Sequence, residues 1–218
     1  MKAVIQNEFG DSDVLLYTEV ELPKIRDKEV LIKTEYTSVN YADIKKRMGN
    51  KGKGNFPFTL GLDVAGTIED VFGVSPFSKG DRVIAFPKGG SYAEYVVANE
   101  QLVFKIPDSL CFNQAATAPT VSILAYILIH QIGQVKKTDT IVIHSAAGGV
   151  GSMLVQLAKQ AGVKKIIGTV GNLNKKGYLK SLGADVVCTY ETFVEEVLKS
   201  TSNLGATVIF DSVAGEVT

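Results

Sequence analysis

The strongest chemical signal in the sequence is the run His144-Ser145-Ala146-Ala147-Gly148-Gly149-Val150-Gly151. It joins an apolar, β-branched segment, Thr140-Ile141-Val142-Ile143-His144, to a segment in which Val150, Met153, Leu154, Leu157, Ala158 and Ala161 recur at three and four. Set against G-x-G-x-x-G, the three glycine positions fall on Ala146, Gly148 and Gly151, with alanine at the first. Gly148 would let backbone approach a pyrophosphate, and Gly151 would let helix and strand pack closely. The opening N–H groups of the helix would face the anion with the positive end of its dipole. Ala147, Gly148, Gly149, Val150 and Gly151 are therefore the candidate dinucleotide contacts. The same glycines would also suit a tight strand-to-helix turn without ligand, but their place inside a β-α-β unit favours the nucleotide.

The next loop bears on which dinucleotide. An NAD site calls for Asp or Glu about 20 residues on, to bind the ribose hydroxyls. Here Thr169-Val170-Gly171-Asn172-Leu173-Asn174 has no acid, and Lys175 and Lys176 follow. A ribose 2′-phosphate favours lysine and amide donors and is repelled by a carboxylate. The expected cofactor is NADP(H).

The elements around these residues fall into two halves. Up to about Pro107 the chain is rich in short strands and turns. Val30–Tyr36, Val64–Ile68, Arg82–Phe86 and Tyr92–Val97 read as strands, and Phe9–Asp13, Gly49–Asn55 and Lys79–Asp81 read as turns. The one helical stretch there is Tyr41–Met48. After Asp108 helices and strands alternate: helix Leu124–Ile132, strand Thr140–His144, helix Val150–Ala161 stopped by Gly162, strand Lys165–Val170, helix Lys175–Leu182 ended by Gly183. Strand Asp185–Tyr190, helix Thr192–Ser200 and strand Ala206–Asp211 complete the series. That alternation predicts an α/β fold with a parallel, doubly wound sheet, preceded by an irregular, mostly antiparallel β domain. The boundary is expected at residue 120, giving domains 1–120 and 121–218.

Composition narrows the classes. The 218 residues carry 23 Lys+Arg and 23 Asp+Glu, which argues against electrostatic binding of nucleic acid or an anionic membrane. No run approaches the ~20 apolar residues of a membrane span. The start, Met1-Lys2-Ala3-Val4-Ile5, reads as a strand and lacks the features of a signal peptide. Cys111 and Cys188 are the only cysteines, so there is no disulfide framework, and a cytoplasmic setting is expected.

The order of β domain, linker helix and glycine turn, with Gly90-Ser91-Tyr92-Ala93-Glu94-Tyr95, Lys79-Gly80-Asp81-Arg82-Val83 and Ser145–Gly151, resembles the medium-chain dehydrogenase/reductase superfamily. Within it the chain is similar to the zinc-independent NADPH quinone oxidoreductases, the ζ-crystallin group. The resemblance runs from Met1 to Val213. It implies a GroES-like first domain that holds substrate and a Rossmann-type second domain that holds the cofactor, with nicotinamide in the cleft between the two. Gly171, Asn172, Lys175 and Tyr190 would contact the 2′-phosphate. Asn40 and Tyr41 would offer a hydrogen bond to the acceptor's oxygen, with Asp43 orienting them and Tyr92 as a further candidate. Leu124 stands where relatives often carry threonine, which removes one expected cofactor contact.

Zinc-dependent relatives would place their ligands at the positions of Asn40, Leu62 and Thr120, none of them a good zinc ligand, so no metal is expected. His130 and His144 have no ligand spacing and read as structural. Without a Lewis acid, the chemistry best suited to the site is hydride transfer from NADPH to a quinone or an α,β-unsaturated carbonyl, a small molecule that stabilises charge itself. The alternative is a nicotinamide-nucleotide-binding protein without turnover. Four strands of the expected six precede Ala214-Gly215-Glu216-Val217-Thr218, and the resembling family runs further. The chain is therefore expected to be an incomplete Rossmann domain from a longer, homodimeric parent, with Thr207–Asp211 as an open edge prone to association.

Overall fold

The computed structural model describes residues 1–50 and 54–213. The expected turn Gly49–Asn55 lies partly, and Ala214–Thr218 wholly, outside the described residues. The chain divides into two compact units, Met1–Thr120 and Val121–Thr218.

The first unit is built from antiparallel strands. β1 (Lys2–Gln6) pairs with β2 (Leu15–Glu19), one of several strands that sequence patterning does not single out. β3 (Glu29–Tyr36) leads to the short helix α1 (Tyr41–Arg47), and β4 (Phe58–Thr59) pairs with β1. β5 (Val64–Val71), β6 (Arg82–Ala85), β7 (Tyr95–Asn99) and β8 (Val103–Lys105) join β3 in a five-stranded sheet ordered β7-β3-β5-β6-β8. Alternation puts Val30, Ile32, Val64, Ile68, Val83, Ala85, Val96 and Ala98 into one core. A second cluster forms where α2 (Phe112–Ala115) brings Ala115 onto Ala65 and Ile106.

Several sequence expectations need correction on extent: the strand expected at Ala206–Asp211 spans only Val208–Phe210, and that at Val64–Ile68 runs on to Val71. The strand placed at Tyr92–Val97 begins only at Tyr95. Tyr92, Ala93 and Glu94 are pinned one by one instead, through Val4 N to Tyr92 O, Ala3 opposite Ala93, and Glu94 N to Lys2 O. The strand placed at Asp185–Tyr190 spans only Val186–Cys188, because Asp185 turns its carboxylate onto Ile166 N. The linker helix begins earlier than Leu124: α3 (Ile123–Ile127) continues widened, π-type turns over 118–122 and 128–132. Pro119 lies in its first turn, where a missing N–H costs nothing.

The second unit holds β9 (Thr140–Ile143), α4 (Gly149–Gln160), β10 (Lys165–Thr169), α5 (Lys176–Leu182), β11 (Val186–Cys188), α6 (Phe193–Ser200) and β12 (Val208–Phe210). The four strands are parallel and ordered β11-β10-β9-β12, the 3-2-1-4 arrangement of a doubly wound sheet. Every residue of β9 is buried, as expected for a strand covered on both faces. Ile141, Ile143 and Ile166 face Ala125, Ile129, Leu154, Val155 and Leu179, while Val142 and Ile167 face Cys188 and Val197. β12 is an edge strand among the described residues, and Ile209 on it is 53% exposed. No described helix is long and apolar enough to cross a membrane.

Candidate functional site

The glycine turn starts where β9 ends. His144, 2% exposed, donates its backbone N–H to Phe210 O at 3.0 Å and pairs Nδ1 with Thr169 Oγ1 at 2.8 Å. Burial pushes the imidazole below its ordinary pKa, against the opposing charge of Asp211. Ser145 follows at φ 51°, a left-handed conformation rare for a residue with a side chain. It is held there by its N–H, which donates to the Tyr190 hydroxyl at 3.0 Å. Ala146 N bonds Thr169 O, and Gly148 N bonds Ser145 O, closing the turn before α4.

A methyl group tests how each glycine is used. On Gly151 it would fall against the Ser145 carbonyl and 2.7 Å from Ala146 Cα, so close packing of backbone on backbone excludes any side chain. On Gly148 it would meet Ser145 O at 3.2 Å, and on Gly149 Val121 Cγ1 at 3.1 Å. The N–H groups of Gly149, Val150 and Gly151 open α4 with no carbonyl one turn back inside the helix to receive them. The turn thus presents free donors beside bare backbone, which fits a pyrophosphate.

Beyond β10, Val170 N bonds Cys188 O and the chain opens at Gly171, around which an added methyl would meet nothing within 4 Å. Asn172 spends its side-chain oxygen on Asn174 N at 2.8 Å, leaving its amide N–H groups as the donors an anion could use. Lys175 and Lys176 are exposed and make no ion pair among the described residues. Tyr190 stands apart from the rest of the expected set. Its hydroxyl accepts from Ser145 N, and its ring lies 5.8 Å from that of His144, so it braces the turn itself.

In the first unit, Asn40, Tyr41 and Asp43 come together at the start of α1. Asp43 is buried; its Oδ2 accepts from Asn40 N at 2.8 Å and from the Tyr92 hydroxyl at 3.2 Å, and its Oδ1 accepts from Gly61 N at 3.2 Å. Burial and the adjoining carboxylate push the Tyr92 phenol well above its ordinary pKa. Tyr92 therefore stays a neutral donor to Asp43. Asn40 commits its amide nitrogen to Ser38 Oγ at 2.8 Å and Asp63 Oδ2 at 3.2 Å. Tyr41, by contrast, is 70% exposed.

Asp63, which the sequence pattern does not single out, is fully buried and takes Ser38 N, Ser38 Oγ and Asn40 Nδ2 on its carboxylate. The signal was its acid character two residues after Gly61, whose φ of 105° and contact with Ser91 N exclude a side chain. Leu62 offers no ligand atom, and the buried Thr120 hydroxyl has no hydrogen-bond partner among the described residues. Among those residues no group of three or more His, Cys, Asp or Glu side chains could hold a metal ion.

Residues 26–108 match the alcohol dehydrogenase GroES-like domain, and 149–218 the zinc-binding dehydrogenase domain. Human quinone oxidoreductase is 34% identical over 220 residues, 98% of this chain and 67% of that protein. The chain belongs to the quinone oxidoreductase family of medium-chain dehydrogenase/reductases. Its fold superposes on Escherichia coli quinone oxidoreductase, solved with NADPH, at a TM-score of 0.94 and 27% identity, covering 99% of this chain and 67% of that one. The Pseudomonas syringae quinone oxidoreductase gives 0.93 at 33% identity, covering 98% of this chain and 67% of that one. The chain thus spans about two thirds of the length of these family members.

Proposed function

We propose that this chain binds NADP(H) in its second unit and serves the zinc-independent reduction of a quinone or α,β-unsaturated carbonyl by its first. The observation that carries the reading is the Ser145–Gly151 turn, where bare backbone and the unfilled N–H groups of α4 form an anion cradle. The family membership and two solved relatives that hold NADPH, the E. coli enzyme and mycobacterial Rv1454c, support it.

Ala147, Gly148, Gly149, Val150 and Gly151 bind the pyrophosphate. Gly171, Asn172 and Lys175 receive the 2′-phosphate, and Tyr190 keeps the turn in shape through Ser145. NADPH, when bound, supplies a hydride to the acceptor. On the acceptor side the Tyr41 hydroxyl donates to the carbonyl oxygen, where negative charge develops. Asn40 has spent its amide hydrogens on Ser38 and Asp63, so it positions Tyr41, as Asp43 does. A donor of this kind replaces the Lewis acid, and the reaction needs no zinc. Cys111 and Cys188, both free, suit a reducing, cytoplasmic compartment.

The test is to mix the chain with NADPH and a simple quinone and follow loss of the reduced nicotinamide absorbance, with elemental analysis and chelator controls. Quinone-dependent oxidation that survives chelation is expected. Binding without oxidation would reduce the protein to a nucleotide binder, and absence of NADPH binding would overturn the reading altogether.

A further inference from the structure

The ring of His144 touches both residues that hold the glycine turn in shape. Its Nδ1 pairs with Thr169 Oγ1 at 2.8 Å, and the Thr169 carbonyl accepts from Ala146 N at 3.0 Å. Its centroid lies 5.8 Å from that of Tyr190, whose hydroxyl accepts from Ser145 N at 3.0 Å and holds that residue at φ 51°. The His144 backbone is tied as well: its N–H donates to Phe210 O at 3.0 Å, and its carbonyl accepts from Ser212 Oγ at 3.4 Å. Phe193 of α6 meets the ring edge-on at 5.0 Å. The imidazole is thus packed against the two supports of a turn that begins at the very next residue.

We infer that His144 is a positioning residue for the cofactor: its neutral imidazole keeps the Ser145–Gly151 turn in the shape that receives the pyrophosphate, and protonation loosens the turn and weakens binding. This rests on the reading of that turn as the pyrophosphate cradle; His144 itself is 2% exposed and acts through its neighbours. Where the Thr169 hydroxyl donates to Nδ1, a proton on the ring removes its acceptor, and Thr169 is fully buried. Where Nδ1 donates, the added proton goes to Nε2. Either way a full charge arrives on a buried ring, and opening the turn brings water to it. The elements packed around the ring differ in the charge they bring. Asp211, after β12, favours the proton but does not outweigh burial. Tyr190 follows β11, and Cys188 within it keeps a neutral thiol, pushed up to about 11 by burial and then by Glu196 of α6. Thr169 of β10 and Phe193 of α6 bring no charge. The closed turn therefore has the lower pKa and the opened one the ordinary 6.5, so the closed form loses ground as pH falls through 6.5.

The chain has two histidines, so NMR follows both titrations, with exposed His130 as the internal control. The ligand is ADP-ribose, which carries the pyrophosphate but no 2′-phosphate, whose own ionisation at about pH 6 falls in the same window. Its affinity should weaken at least about threefold from about pH 7.5 to about pH 5.5 in the unmodified chain. It should stay level in His144→Asn, which keeps a polar partner for Thr169 and cannot titrate. By reciprocity, bound ADP-ribose should lower the His144 pKa and leave His130 unmoved. A histidine with a merely structural role changes melting but not the affinity of the folded chain. Level affinity in the unmodified chain, the same fall in His144→Asn, or a His144 pKa raised by the ligand, as simple attraction to an anion would do, overturns the inference. In the ligand-free chain, Tyr190→Phe removes the hydroxyl that holds Ser145 and should bring His144 back toward 6.5; an unchanged value also overturns it. The function proposed above fails separately, on absence of ADP-ribose and NADPH binding at any pH, and the Tyr190→Phe titration then still decides the link between ring and turn.

Discussion

Three glycines of the nucleotide site should respond very differently to the same substitution. Gly151→Ala puts a methyl against Ser145 O and 2.7 Å from Ala146 Cα, and both are backbone atoms that no rotamer change can move aside. In an open helix alanine would gain up to about 1 kcal/mol over glycine. Here the turn must shift instead, and Ser145 N on Tyr190 and Ala146 N on Thr169 O tie it down. Overpacking costs roughly 1–3 kcal/mol and each hydrogen bond sacrificed about 1 more, so a net loss of about 2–4 kcal/mol is expected. At about 4–8 °C per kcal/mol for a unit of this size, melting should fall by at least ~8 °C. Gly148→Ala meets Ser145 O at 3.2 Å and should cost at most about 1 kcal/mol, yet its methyl would stand in the proposed pyrophosphate site. Gly171→Ala meets nothing and should melt unchanged or up to ~1 kcal/mol more stable. Thermal melts paired with NADPH titrations separate the three. Gly151→Ala should lose both stability and binding, Gly148→Ala mainly binding, and Gly171→Ala at most some affinity. A Gly151→Ala protein that melts and binds as the parent does would refute the packing argument.

The loop after β10 should set cofactor choice: NADPH should bind at least about tenfold more tightly than NADH, ~1.4 kcal/mol, and Lys175→Glu should erase or reverse the preference in paired titrations. Equal affinity in the unmodified chain would remove Lys175 from the site. His144 should make stability fall with acidity. Its pKa is lower folded than the ordinary 6.5, so the unfolded state binds more protons just below that value, and stability drops as pH falls through 6.5 to the folded pKa. Melts across that window should flatten in His144→Asn, and an unflattened curve would assign the dependence elsewhere. Cys188, whose thiol burial pushes up to about 11, should resist alkylation near neutral pH while exposed Cys111 reacts; mass spectrometry of the native chain distinguishes one adduct from two.

How far the sequence could be read depended on the kind of interaction. The second unit was legible because buried parallel strands read as continuous apolar runs and its helices keep a period near 3.6. Gly162 and Gly183, at φ 74° and 115°, mark helix ends as expected. Strand ends were less legible. Asp185 leaves β11 to cap Ile166, and Tyr190 leaves it to hold Ser145, both pairings across at least 19 residues that no local pattern encodes. In the first unit β2, β4 and β8 are short and half-exposed, so neither alternation nor apolar content sets them apart. The cluster at Asn40–Tyr41–Asp43 was visible as residue types. Asp63's part in it was not, because its partners Ser38 and Asn40 lie more than 20 residues away in sequence.

The two candidate sites are built by opposite means, and that decides where each tolerates change. The nucleotide turn is backbone fitted to backbone: Gly151 against Ala146, Gly148 on Ser145, and Ser145 held left-handed by a single hydroxyl. At Gly151 a change of residue size alters fold and ligand site together, because the atoms it meets are backbone. The candidate acceptor segment is held by side chains. Two buried carboxylates, Asp43 and Asp63, have no cationic partner among the described residues and are satisfied by N–H and O–H donors. Buried ions stabilised this way are costly to leave half-satisfied, so the loop that carries Asn40 is fixed from within. Its outward side chains, Tyr41, Lys45 and Lys46, make no hydrogen bond or ion pair inside the described structure and are free to be varied without disturbing it. A fixed loop with an unconstrained outer face is the arrangement in which acceptor specificity can change while nucleotide binding stays the same.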